Sequence, residues 1–318
     1  MTTTELANTA LNAPSSGRGN PSRRRQRLKE QTIRWLFLVP ALIYIALFFG
    51  YPVVQNVTMS FQNYSISTFV DGKAPWVGIA NYISVFQSSL FIPSLINTAL
   101  FTIGSIVGQF IIGLALAAFF RRHFPLGGAI RSLLLLPWLL PLIASTAIWK
   151  WMLDQDSGVV NSVLGFLFHI PAIPWLDSTN VALISVVIVN IWVGIPFNLT
   201  ILYSGLQDIP AELYEAGSLD GATGWKSFRY ITWPNLRPVV SIVLVLGVIY
   251  TLKVLDIIVG LTGGGPAGAT ETLATYAYLK SFLEFSFGTG AAVSNILIVV
   301  SLVFAFVYLR INRRAVDE

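Results

Sequence analysis

The sequence predicts an all-α membrane protein: six transmembrane helices, with a charged helix on the cytosolic face between the fourth and the fifth. Three observations predict it. The chain is 54% hydrophobic and 11% charged, with a mean hydropathy of +0.69, whereas soluble domains carry about 25% charged residues. Six apolar stretches approach or exceed the roughly 20 residues that a helix needs to cross the hydrocarbon core. Lysine and arginine fall almost entirely on one side of those stretches.

Residues 1–34 are polar and end in Arg23-Arg24-Arg25-Gln26-Arg27-Leu28-Lys29. They lack the apolar core and small-residue cleavage site of a signal peptide and read as a disordered, basic cytosolic tail. Residues 35–318 form the membrane domain, with spans at about 35–57, 95–120, 132–153, 180–206, 238–260 and 290–309. The third span holds Pro137 and Pro141, the fourth Gly194 and Pro196. Prolines inside a span are tolerated where neighbouring helices satisfy the freed carbonyls, so these predict kinks rather than span ends.

Orientation follows from the basic residues. The tail carries seven: Arg18, the five residues Arg23, Arg24, Arg25, Arg27 and Lys29, and Arg34. Arg121, Arg122 and Arg131 follow the second span. Lys226, Arg229 and Arg237 lie in the 207–237 segment, and Arg310, Arg313 and Arg314 at the C-terminus. Both termini and the 207–237 segment are therefore expected in the cytosol, in a multi-pass plasma-membrane protein. The opposite loops, about 58–94, 154–179 and 261–289, hold Tyr64, Trp76, Tyr82 and Trp175, which suit interfacial anchoring or a partner surface. Lys280 and Glu284, one helical turn apart, fit a short surface helix.

Several chemistries are excluded by composition. There is no cysteine, and the two histidines are His123 and His169, which leaves no disulfide, thiolate or histidine metal cluster. No catalytic constellation is found, so no catalytic or metal residues are expected. The charge of +5 is accounted for by residues flanking spans rather than by nucleic acid binding. Gly221-Ala222-Thr223-Gly224-Trp225-Lys226-Ser227 mimics a phosphate loop, but that motif needs Gly followed directly by Lys, and Trp225 intervenes.

The 207–237 segment is the polar exception in an apolar chain. Asp208, Pro210 and Glu212 are helix-start chemistry, predicting a short helix over 210–219 with Leu213 and Ala216 on its apolar side. From the residues alone this helix is either a solvated loop or a docking element. Inside the spans, Asn190 and Gly194 are four apart and share a face. Asn190 offers donors and an acceptor to a hydroxylated ligand, or bonds a neighbouring helix. Tyr250, Thr251 and Lys253 lie one turn before Asp256, and Lys253 and Asp256 either neutralise each other or serve the transport path. Asn295 is a further polar residue of the sixth span.

Glu215-Ala216-Gly217, then Gly221, Ile231 and Trp233-Pro234, keep every spacing of the pattern that marks permease subunits of binding-protein-dependent ABC importers, with Gly217 and Trp233 departing from Ala and Leu. The chain also resembles the carbohydrate branch of that family, the maltose and glycerol-3-phosphate permease type. Asp220-Gly221-Ala222, Trp76-Val77-Gly78, Arg131 with Pro137-Trp138, and Leu261-Thr262-Gly263-Gly264-Gly265-Pro266 carry that resemblance. It implies a permease that moves a sugar or sugar-like solute by alternating access. The implied partners are a second homologous permease, two ATP-binding subunits that hold the ATP and Mg, an extracytoplasmic solute-binding protein, and the lipid bilayer. No cofactor is expected on this chain. The resemblance implies ATPase coupling through Glu212, Glu215, Ala216, Gly217, Asp220 and Gly221. It implies solute contacts at Trp138, Asn190, Gly194, Tyr250, Thr251 and Val254, the last standing where the maltose-type permease is polar. Two alternatives remain: an ABC permease for another solute, and a secondary transporter. The latter needs ion-coupling carboxylates in the membrane, of which Asp256 is the one available.

Overall fold

Helix carries the fold because the apolar stretches are long enough to cross a bilayer, where backbone groups must bond within their own segment. A computed structural model describes residues 35–122 and 124–316, leaving the 1–34 tail and His123 outside the described residues. The helices in order are α1 (Trp35–Ser60), α2 (Ile66–Asp71), α3 (Ala80–Gln87), α4 (Phe91–Phe120), α5 (Gly127–Leu139), α6 (Leu142–Met152), α7 (Val159–Phe168), α8 (Ala182–Gln207), α9 (Ala211–Leu219), α10 (Trp225–Leu252), α11 (Asp256–Leu261), α12 (Leu273–Tyr278) and α13 (Phe287–Val316). Among the described residues the extended pairing is a single isolated bridge, Gln62 to Trp76.

Five helices are individually long and apolar enough to span, and six if α5 and α6 count as one broken span. The chain divides into two units, 1–55 and 56–318. In the first, α1 includes a π-helical stretch over Ala46–Gly50, and the side chains from Trp35 to Phe49 are exposed.

The centre of the second unit is the pairing of α4 with α8. Ser94, Thr98, Thr102, Ser105 and Gln109 recur at helical spacing on α4 and are all buried, so this helix turns a polar stripe inward. Gly113 on that face lets the backbones close up: a Cβ there would stand 2.6 Å from Asn198 Cβ. Small residues at such crossings permit close van der Waals packing where lipid supplies no hydrophobic drive. At its other end α4 holds the glycine-rich loop before α12. The Asn97 amide donates to the Gly268 and Glu271 carbonyls at 3.2 and 3.0 Å, and Thr98 Oγ1 accepts from the Leu273 N–H at 2.9 Å. Burial pushes the Glu271 carboxyl above the ordinary carboxylate range, against the opposing hydrogen bond from Thr275.

Asn295 is a structural residue. Its amide accepts from Asn56 Nδ2 at 2.7 Å and donates to Tyr82 Oη at 3.2 Å, and Tyr82 in turn meets Ser60 Oγ at 2.9 Å.

Two expected spans are not continuous. The stretch 132–153 is split between α5 and α6, which meet at 96°. Leu140 and Pro141 are extended there (ψ 140 and 130), because proline lacks an N–H and disfavours helical backbone in the residue before it. The stretch expected over 238–260 ends as α10 at Leu252, and α11 starts afresh at Asp256. No proline or glycine marks this second break. Asp256 in the first turn of α11 is the local signal, since an acid favours a helix start.

Candidate functional site

Both breaks open onto one cavity of about 430 Å³ in the second unit. Irregular backbone at membrane depth is tolerated where it is buried in protein or lines a water-filled cavity, and these breaks line one. Trp138, Asn190, Gly194, Tyr250, Thr251 and Val254, six residues from three separate parts of the chain, all border it. The structure thus brings the whole expected solute-path set together.

Each wall has a local cause. Trp138 lies in the last turn of α5, just before the Leu140–Pro141 corner. Asn190, Gly194 and Phe197 lie on one face of α8, and Tyr250 and Thr251 on the last turn of α10. The aromatic rings form a row: Trp138 to Phe197 at 6.3 Å between centroids, and Phe197 to Tyr250 at 6.0 Å, edge to face. Asn190 is 4% exposed, and its Nδ2 has no hydrogen-bond partner among the described residues. A buried amide left so forfeits the desolvation cost of its donor, about 1–3 kcal/mol, unless something entering the cavity accepts from it.

Gln109 was not singled out from the sequence, yet it sits at the floor. Its Nε2 donates to the Asn190 backbone carbonyl at 2.9 Å, and its side chain fills the space that a Cβ on Gly194 would need. The signal was available, since Gln109 continues the polar stripe of α4. Lys253 and Asp256 also line the cavity, but they are not an ion pair. Among the described residues the salt bridge within 4.0 Å is Lys280 to Glu284, at 2.7 Å. The Lys253 ammonium instead stands 5.0 Å from the Tyr250 ring centroid.

A second polar region lies at the far end of α4 and α8. There α9 carries Glu212, Glu215, Ala216 and Gly217, and Asp220 and Gly221 follow it in a turn, Gly221 at φ +74. Glu212, Glu215, Ala216 and Asp220 are exposed, and Gly217 faces inward, where the Ile231 side chain occupies the place of a Cβ. Tyr214 Oη meets Thr232 Oγ1 at 3.0 Å, and the Arg121 guanidinium lies 4.1 Å from the Tyr214 ring centroid. The phosphate-loop mimic follows a helix rather than a strand and passes straight into α10.

A helical bundle whose broken helices enclose a polar, aromatic cavity, with a polar helix at one end, defines a membrane permease architecture. Residues 109–317 match the family described as the binding-protein-dependent transport system inner membrane component. The chain is 33% identical to a probable ABC transporter permease protein of Brucella suis, over 91% of this chain and 99% of that one. It is 34% identical to the trehalose/maltose transport system permease protein MalF of Thermococcus litoralis, over 90% and 96%. A subunit of a solved bacterial ABC transporter involved in the import of the acidic polysaccharide alginate has the same fold, with a TM-score of 0.79 at 23% identity over 92% of this chain and 99% of that one. The chain belongs to this family. It is a multi-pass inner-membrane permease subunit of a binding-protein-dependent ABC importer, and ATP hydrolysis belongs to a separate subunit.

Proposed function

We propose that this permease carries a sugar or sugar-like solute through the cavity at the two helix breaks. The observation that carries the reading is the meeting of Trp138, Asn190, Gly194, Tyr250, Thr251 and Val254 around one space, with the unpartnered Asn190 amide among them. About 430 Å³ falls within the roughly 300–1,000 Å³ of small-molecule sites. The aromatic row offers faces to the apolar side of a sugar ring, and Asn190 and Thr251 offer hydrogen bonds to its hydroxyls. The names of relatives, trehalose/maltose among them, point the same way. Trp138 and Tyr250 are 57% and 54% exposed and Lys253 is exposed beside them, a face that suits a second permease closing the cavity.

The distribution of arginine and lysine supports cytosolic termini and a cytosolic α9. There α9 docks an ATP-binding subunit through Glu212, Glu215, Ala216, Gly217, Asp220 and Gly221. A pair of such subunits binds ATP and Mg and closes, α9 moves inward with them, and the spans turn the cavity outward to receive solute from an external binding protein. Hydrolysis resets the cycle.

The test is reconstitution of the assembled transporter in liposomes with its binding protein and a panel of labelled mono- and disaccharides, polyols and glycerol phosphates. Uptake of one sugar, dependent on ATP inside and binding protein outside, is expected. Uptake without ATP, or of non-carbohydrate solutes alone, overturns the reading.

A further inference from the structure

A recess of about 830 Å³ lies at the end of α4 and α8, separate from the solute cavity, and Arg121, Arg122 and Arg131 all line it. Among the described residues no carboxylate stands within 4.0 Å of any of the three. Glu212 shares the recess without pairing, so three guanidinium charges face one acid. Two of the three are held in place. Arg121 stacks on Tyr214 of α9, and Arg131 on Tyr203 of α8, each with Cζ 4.1 Å from the ring centroid. Tyr203 in turn accepts a 2.7 Å bond from Gln207 Nε2. Gln207 lines the recess as well, and Phe120, Phe124, Leu206 and Ile209 contribute its apolar part.

Orientation by the positive-inside rule needs only charge near the membrane end. It accounts neither for three arginines converging on one recess nor for their stacking. Arginine rather than lysine is the residue for bidentate capture of phosphate. A basic recess at the end of membrane-length helices, with some apolar lining beside the charges, suits the headgroup and first acyl carbons of an anionic phospholipid. We propose that this recess binds the phosphate-bearing headgroup of an anionic phospholipid, whose acyl chains leave along the apolar ends of α4 and α8. Because Arg121 rests on Tyr214, the lipid would brace α9 against the spans.

The test is native mass spectrometry of the full chain in its assembled transporter, in detergent, with phosphatidylglycerol, phosphatidylcholine or inorganic phosphate added. Phosphatidylglycerol is expected to be retained and phosphatidylcholine lost, with millimolar inorganic phosphate failing to displace the lipid. The combined change Arg121→Gln, Arg122→Gln and Arg131→Gln is expected to weaken lipid binding roughly 100-fold. Removing the same number of charges by Arg310→Gln, Arg313→Gln and Arg314→Gln is expected to leave it unchanged. If the recess variant does not assemble, replacing the three with lysine keeps the charge and still weakens retention by loss of the forked geometry. Equal loss in both glutamine variants overturns the proposal in favour of general surface charge. Displacement by phosphate overturns the lipid as occupant. Release of the ATP-binding subunit from the recess variant in lipid-free detergent means that an acidic protein segment sits there instead.

Discussion

The two polar regions of this permease are finished in opposite ways. At the cavity the protein leaves groups without hydrogen-bond or ion partners among the described residues: Asn190 Nδ2 has none, and Lys253 and Asp256 line the same space without pairing with each other. At α9 the side chains that face inward are used up. Tyr214 bonds Thr232 and carries Arg121, and Ile231 fills the space beside Gly217. A group left without a partner costs stability that a ligand can return, while a stapled helix transmits force instead of absorbing it. On the proposed function, the difference is the one expected between a place that receives a solute and a place that moves as a rigid piece.

The strongest way to break this contrast is at the exposed face of α9. Glu215 is exposed and makes no side-chain bond among the described residues, so the fold of this chain should not need it. Glu215→Lys is expected to leave the thermal unfolding midpoint of the permease unchanged and to cut ATP-coupled uptake about 100-fold or more, as reversing a docked charge does. Unchanged assembly with the ATP-binding subunit and unchanged uptake would remove α9 from the coupling role.

A smaller effect sharpens the cavity side. The Gln109 bond goes to the backbone carbonyl of Asn190 and not to its side chain, so Asn190→Leu removes the unpartnered amide and keeps that bond. The solute concentration for half-maximal uptake is expected to rise roughly 10-fold, with the unfolding midpoint unchanged or raised. A fall in stability with unaltered solute dependence would make Asn190 a packing residue.

Much of this was legible in the sequence, for identifiable reasons. Membrane-length apolar runs fixed α4 and α8 to within a few residues, and the start but not the end of α13, because only a helix satisfies its backbone in lipid. The short helix α9 was visible from Asp208, Pro210 and Glu212, which mark its start. Pro141 was seen and its consequence underestimated: a kink was expected where the chain turns by 96°. The break after Leu252 had no proline or glycine to announce it, so α10 was extended through Lys253 into α11. Lys253 and Asp256 sit at helical spacing for a pair only if the helix continues, and the break at Lys253–Leu255 removes that spacing. The convergence of Trp138 with Asn190 and Tyr250 could not be computed from spacing, since three segments meet there only through tertiary packing. It came from resemblance.

Gly217 is where the finest test lies. The family pattern has alanine at this position, and glycine in a helix interior costs up to about 1 kcal/mol against alanine, which suggests a weakened α9. Its surroundings argue otherwise. Ile231 is 9% exposed and packs with Leu206 and Leu236, and its Cδ1 reaches into the space that a Cβ on Gly217 would take. Gly217→Ala alone therefore sets a propensity gain against a contact that Ile231 must relieve by changing rotamer, and the two are expected to cancel within about 1 kcal/mol. Ile231→Val alone removes the Cδ1 methyl and is expected to cost about 0.5–1.5 kcal/mol. Together they should recover stability beyond the sum of the single changes, because the valine vacates the space that alanine needs. A double-mutant cycle on thermal unfolding, with ATP-coupled uptake measured on all four proteins, reads the coupling directly. Additive effects would mean that Ile231 swings clear at no cost and that glycine here is a tolerated weakness. A favourable coupling of about 0.5 kcal/mol or more, the size expected for residues in contact, would mean that Gly217 and Ile231 are one packing unit, with glycine the residue that lets α9 sit against α10.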